Sequence, residues 1–243
     1  MARAFNGSNQ WLAMSSVNIL AYPMTVAGWL LPASAHIGAM WSVGQVNDDL
    51  HWMRVALHSD GAARLSMRNT SLREAVTTNT YTAGAWTHLC GRATSSTNRT
   101  CVLNGDITNQ GSNTTSTSYP VGATASSLGR HEQLTPGAYF NGRIALVAQW
   151  DASLSDAEVV ALAARANPRD IRPANLISYW FVDGRFSPER DLIGNFNLTV
   201  TGATYEDNPR GLIKRAANIL LPWRTAVGGA TNPGWVSSSR GWF

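Results

Sequence analysis

The sequence predicts an all-β domain, a sandwich or a barrel, and three observations carry that expectation. Short runs rich in β-branched and aromatic residues recur between Gly, Pro, Asn and Asp turn signals, as antiparallel strands require. Charged residues make up only 14% of the chain and hydrophobic ones 44%, so Ser, Thr, Asn and Gly must supply much of the polar surface. No segment repeats at a fixed period, which argues against propellers and solenoids. A length of 243 residues suits one large β domain or two small ones.

In chain order the expected strands are Gln10 to Ala13, Met24 to Leu31, His36 to Val46, Leu50 to Leu57, Ala63 to Met67, Trp86 to Ala93 and Arg99 to Leu103. Ser126 to Leu128, Tyr139 to Trp150, Leu176 to Val182 and Leu198 to Val200 follow. Between Thr25 and Leu31, alternation puts Val26, Gly28 and Leu30 on one face and Thr25, Ala27, Trp29 and Leu31 on the other. Both faces are apolar, the mark of a strand covered on both sides. One helix is expected after Leu154, where Ser155 as N-cap and Glu158 at the third helical position form a capping box. Val159, Val160, Leu162 and Ala163 give it an apolar stripe to lay on a sheet or close one end, and Asn167-Pro168 stops it. Ile107 to Ser127, rich in Ser, Thr, Asn and Gly, reads as a long loop or a frayed edge.

Past Gly211 periodicity is lost and Pro222, Gly228, Gly229, Pro233 and Gly234 punctuate the chain, so residues 1–207 are read as the sandwich and 208–243 as an extended arm. Charge divides at the same point. Residues 208–243 hold Arg210, Lys214, Arg215, Arg224 and Arg240 with no carboxylate, a local charge of +5. The remainder, with 14 basic and 15 acidic side chains, stands at −1, which excludes a uniformly basic nucleic-acid-binding domain. The arm also carries Trp223, Trp235, Trp242 and Phe243. Trp anchors and Arg donors are enriched at the centres of protein interfaces, so these nine side chains are the expected partner-docking residues. Folding of the arm back onto its own sandwich is the competing expectation. No apolar run nears the roughly 18 residues of a membrane span, and Met1 to Gly7 turns polar before a signal-peptide core can form.

Several segments line up in the order of a known group. Phe5-Asn6-Gly7-Ser8-Asn9-Gln10-Trp11-Leu12, Met24 to Trp29, the Ala83 to Leu89 and Val102-Leu103-Asn104-Gly105 pair, Phe140 to Val147, and Leu154 to Glu158 resemble successive motifs of the laminin-G-like and pentraxin-like group of concanavalin A-like sandwiches. The resemblance spans residues 3 to about 205 and implies an antiparallel jelly-roll sandwich with one short helix. It departs from the pattern in one place. Leu176 to Trp180 and Asp191 to Ala203 resemble a stretch that most members carry before the opening strand, and here it comes last. That permuted layout resembles lectin-like proteins of tailed phages. Gly7, Gly84, Gly105 and Gly142 are expected to supply turn geometry, and the core tryptophans to fill the space between sheets.

Chemistry-bearing motifs are few. The only E-x-D, Glu189-Arg190-Asp191, follows Pro188 in an apparent loop, and the five glutamates lie far apart in sequence, so a paired-acid glycosidase site has no local signature. His36, His51, His58, His88 and His131 form no zinc or nucleophile motif, and His88 is read as a structural hydrogen-bonding residue. The motifs call for no cofactor. Calcium is the metal the resemblance implies; Asn47-Asp48-Asp49 is the best local cluster, with Asp48 and Asp49 as the candidate ligands and Asp183 as a contributor, and simple turn formation is the alternative. Cys90 and Cys101 lie on the two arms of one hairpin, where they could face each other, and are expected to be reduced thiols.

The resulting expectation is a non-enzymatic phage virion protein, a lectin-like module on the particle surface docked to a capsid or tail protein through its arm. A lectin holding surface glycans on rim loops such as Asn47 to Asp49 and Ile107 to Ser127 is the alternative, and a glycoside hydrolase the third. Neither a membrane nor a nucleic acid is the expected partner, and an oligomer is open.

Overall fold

The computed structural model describes residues 2–19 and 21–206. Among them the chain forms β1 (Ala2–Asn6), β2 (Trp11–Met14), β3 (Met24–Pro32), β4 (Gly38–Gly44), β5 (His51–Leu57), β6 (Ala63–Asn69), β7 (Ser71–Val76), β8 (Thr87–Ser95) and β9 (Asn98–Leu103). There follow β10 (Gly111–Asn113), β11 (Ala125–Leu128), β12 (Asn141–Trp150), helix α1 (Asp156–Ala163), β13 (Leu176–Trp180), β14 (Thr199–Thr201) and β15 (Thr204–Glu206). They build two antiparallel sheets. One runs β10-β9-β8-β3-β12-β1-β15, with β13 also on β12; the other runs β14-β2-β11-β4-β5-β6-β7. Met24, Val26, Leu30, Trp41, Met53, Val55, Leu65, Leu89 and Ile144 fill the space between them, the apolar burial that drives such a sandwich together.

The predicted two-sided burial of β3 is what the sheet shows. Val26 and Leu30 enter the inter-sheet core, while Ala27 joins Cys90, Ala148, Trp150, Val159, Leu162 and Tyr179 in a second cluster on the opposite face. Helix α1 covers that outer face. Its capping box is complete: Ser155 Oγ accepts from Glu158 N at 3.4 Å and Glu158 Oε2 accepts from Ser155 N at 2.7 Å. Arg172 Nε donates to Glu158 Oε1 at 2.6 Å, and Arg92 pairs with Asp156, tying the first turn to the connection before β13 and to β8.

The late segment closes the sandwich onto its beginning. β1 pairs with Asn141 to Ile144 of β12 and β13 with Val147 to Trp150, so the two strands lie end to end along one edge of β12. β14 then pairs with β2 and β15 with β1. At the far side, β10 lies on β9 beside β7, with Asn113 Nδ2 donating to the Glu74 carbonyl at 2.9 Å. The segment from Ile107 to Ser127 is therefore not wholly a loop: Gly111–Asn113 and the start of β11 are paired, because Gly111 allows the chain to lie against the Val76 backbone where a Cβ would stand 2.3 Å from it.

The cysteines do not face each other. Cys90 stands opposite Val102 and Cys101 opposite Gly91, an offset of one residue that sends the two thiols to opposite faces of the sheet. Both are free and buried, and burial pushes the Cys90 thiol up to about 12 and the Cys101 thiol higher still, so neither carries a reactive thiolate at neutral pH.

Candidate functional site

With one sheet's outer face covered by α1, the outer face of the other is the open one, and alternation along its strands decides what it presents. On β5, Met53, Val55 and Leu57 point inward, so Trp52 and Arg54 point outward. Register places Arg54 opposite Ser42 of β4 and Ser66 of β6, with Glu74 of β7 next in the row. A strap of residues 129–139 lies across β4. It is pinned where Glu132 N donates to Ser42 Oγ at 2.6 Å, and it closes on itself through the His131 N to Gly137 O bond of 2.8 Å. Gly44 permits this approach: a Cβ there would stand 2.2 Å from the Glu132 carbonyl oxygen.

The strap brings His131 onto Trp52, edge to face with ring centroids 4.2 Å apart, and onto Arg54, whose Nη1 lies 3.4 Å from His131 Nδ1. Nδ1 therefore acts as the acceptor and the proton sits on Nε2, which has no partner among the described residues. Burial, with the adjacent Arg54 cation, pushes the His131 imidazole down to about 3, so it is neutral at physiological pH. The Arg54 guanidinium lies over the Trp52 ring at 5.2 Å. Beyond these residues lies a shallow, wide-open groove lined by Arg54, His131, Gln133, Gly137, Tyr139 and His36. His36 is locked at its edge, with Nδ1 2.8 Å from the Ser34 carbonyl and Nε2 accepting from Asn141 N at 2.8 Å. Trp11 stands beside Tyr139, ring centroids 6.0 Å apart, with the Arg130 guanidinium over it at 4.3 Å. Arg130 in turn pairs with the buried Glu132 carboxylate at 2.7 Å.

The acids singled out in the sequence serve the fold. Asp48 accepts from the Leu50 N–H and meets His51 Nδ1, and these partners hold its carboxyl below the usual range, the Leu50 bond foremost. Asp49 Oδ1 accepts from Thr135 N at 3.1 Å, while its carbonyl takes Trp52 Nε1 at 3.0 Å and Arg68 Nη1 at 3.2 Å. The Asn47 to Asp49 turn is thus a brace for the strap. With both Asp48 carboxylate oxygens and Asp49 Oδ1 engaged by donors, and the Arg68 guanidinium alongside, the pair does not fit the six to eight oxygen ligands that calcium takes. Asp183 accepts from Arg185 N at 3.3 Å in a different loop. Among the described residues no group of three His, Cys, Asp or Glu side chains is placed to hold a metal.

The E-x-D pair is equally committed. Glu189 Oε2 pairs with Arg3 Nε at 2.8 Å, both side chains buried. The Asp191 carboxylate accepts four backbone N–H groups, from Tyr179, Ile193, Gly194 and Phe196, at 2.8 to 3.1 Å. His88 differs from its expected role: its ring packs edge to face on Trp29 at 5.3 Å and Nδ1 has no partner among the described residues. The bond at that position is made by its backbone N–H to Asn104 Oδ1, at 2.9 Å.

The expected docking residues Arg210, Lys214, Arg215, Trp223, Arg224, Trp235, Arg240, Trp242 and Phe243 lie outside the described residues. Sequence reasoning assigned no site role to Trp52, Arg54, His131 or Tyr139. The signal for the first pair was the Trp-x-Arg spacing on one strand face; nothing local joins it to His131, 77 residues on.

The fold is shared with known carbohydrate-binding proteins. The Ruminococcus gnavus IT-sialidase CBM40 bound to α2,3-sialyllactose superposes with a TM-score of 0.57 at 15% identity, covering 67% of this chain and 98% of that one. A native heptameric SAP-like pentraxin from Limulus polyphemus superposes with a TM-score of 0.51 at 17% identity, covering 67% and 81%. Domain 4 of a GH43 extracellular arabinanase from Geobacillus stearothermophilus, in complex with arabinotriose, gives 0.53 at 22% identity, covering 67% and 76%. No curated protein matches the chain in sequence. Residues 6–160, well over half of the chain and containing Arg54, His131 and Tyr139, match a family described as the concanavalin A-like lectin/glucanases superfamily, and the chain belongs to it.

Proposed function

We propose that this protein is a carbohydrate-binding module whose glycan lies in the groove beneath the 129–139 strap. The observation that carries the reading is the groove's make-up: the Tyr139 ring for stacking on a sugar, beside the polar side chains of Arg54 and Gln133, on the sheet face that α1 leaves open. Its likeness in fold to the sialyllactose-bound and arabinotriose-bound modules supports the same reading. The lining favours binding over hydrolysis, since neither Asp nor Glu is among the described groove residues, and glycoside cleavage needs two carboxyls flanking the scissile bond. A glycan array probed with the whole chain tests the reading. At least one oligosaccharide class should bind, and Tyr139→Ala should weaken it about tenfold, the worth of one aromatic contact. An array with no ligand, or binding indifferent to Tyr139, would overturn it.

A second reading concerns residues 208–243, whose +5 charge and four aromatic residues favour docking of this module to a phage capsid or tail protein. Deleting them should leave a folded domain that still binds glycan and no longer joins the particle; a truncated protein that unfolds would point to fold-back instead.

A further inference from the structure

We infer that the groove selects a sugar bearing a carboxylate, seated on Arg54. The inference rests on the reading of the groove as a glycan site and adds the class of ligand. Arg54 is half-buried on the open sheet face, and the groups that meet its guanidinium among the described residues are neutral: the Trp52 ring and His131 Nδ1. The acids nearest in the fold are already taken. Glu74 accepts from Ser66 Oγ at 2.7 Å and from Arg64 Nη1 at 3.2 Å, and Ser66 stands between it and Arg54 in the strand register. Asp60 pairs with Arg64, and Glu132 with Arg130. Burial accordingly pulls the Arg54 guanidinium below its ordinary range, with only Glu74 opposing and Arg64 adding to the effect.

A cation held partly out of water without a counter-ion is costly, and an anion supplied by a ligand relieves that cost. His131 sharpens the selection. As a neutral ring it engages Nη1 through Nδ1, and with Nε buried among protein atoms it leaves Nη2 as the guanidinium donor open to a ligand; its 4% exposure keeps it fixed. A carboxylate takes such a donor through a charge-assisted bond, roughly twice as strong as the neutral bond a hydroxyl makes. The pyranose carrying it would then reach toward Tyr139, which lines the same groove.

Titration calorimetry of the whole chain against matched ligands tests this: tetragalacturonate beside its carboxyl-reduced form, and sialyllactose beside lactose. At least one carboxylated member should bind 10- to 100-fold more tightly than its neutral partner, the span of one charge-assisted hydrogen-bonded contact. That advantage should vanish in Arg54→Gln, shrink in Arg54→Lys, and weaken as salt is raised. Comparing the matched ligands on the unaltered protein requires no variant to fold. Equal affinity for acidic and neutral partners would overturn the carboxylate while leaving the groove a glycan site. Preference for a sulfated oligosaccharide over both acids would also overturn it. Silence toward every sugar would remove both readings.

Discussion

Arg3→Ala or Glu189→Ala should each destabilise the sandwich by about 3–5 kcal/mol, the cost of stranding one member of a buried ion pair. The pair is enclosed and further bonded: Arg3 also donates to the carbonyls of Phe186 and Ala203, and Glu189 Oε1 accepts from Asp183 N at 3.2 Å. Arg3 is 3% exposed and Glu189 5%, so water cannot take over from a lost partner. Set against the roughly 5–15 kcal/mol of a typical domain, either change approaches the limit of what the fold withstands. Replacing both, as Arg3→Met with Glu189→Leu, should recover most of the loss, because no unpaired charge remains. Urea unfolding of the four proteins in a double-mutant cycle checks this; single changes costing under about 1 kcal/mol would refute it.

That pair also marks where sequence reading stops. Glu189 was conspicuous as half of an E-x-D motif, yet its partner is 186 residues away on β1, and no spacing rule joins them. What local physics controls was legible: the alternation of β3, the Ser155 to Glu158 box, the turn glycines Gly7, Gly84, Gly105 and Gly142, all at positive φ. Strands β7, β10 and β15 were not. Ser71-Leu72-Arg73-Glu74-Ala75-Val76 buries only Ala75 fully, so its pattern is mixed, and three-residue strands such as β10 and β15 exist through pairing alone. The groove was hidden for the same reason. Arg54 looks like one more charged residue on a half-exposed strand until the strap, seated by Gly44, lays His131 beside it.

The second large effect is on pH. His88 and His131 are both held near 3 in the folded chain, by burial in each case, against about 6.5 when unfolded. Above pH 6.5 neither state takes the proton and stability is unaffected. Below it the unfolded chain binds protons that the native one refuses, so stability falls by about 1.4 kcal/mol per pH unit for each histidine until the folded values are reached. Between pH 6.5 and 5, before most carboxylates titrate, the two together remove about 4 kcal/mol. Denaturant unfolding at pH 7 and pH 5 should show that loss, and His88→Phe, which keeps the contact with Trp29 and deletes the orphan Nδ1, should remove about half of it. An unchanged pH slope in the variant would show that His88 takes no part.

The pairing of Ala2 with Glu206 has a consequence for how the domain is carried. Entry to and exit from the sandwich are neighbours on adjacent strands, so any flanking sequence, on either side, is tethered at a single corner. Gly7, at the opposite end of β1, borders the groove; five residues of extended strand set it about 17 Å from that corner. An anchor at that corner stands the length of β1 away from the groove. The same adjacency makes the domain portable: it can be spliced into a loop of a host protein, or its ends joined and reopened elsewhere, at little cost to either sheet.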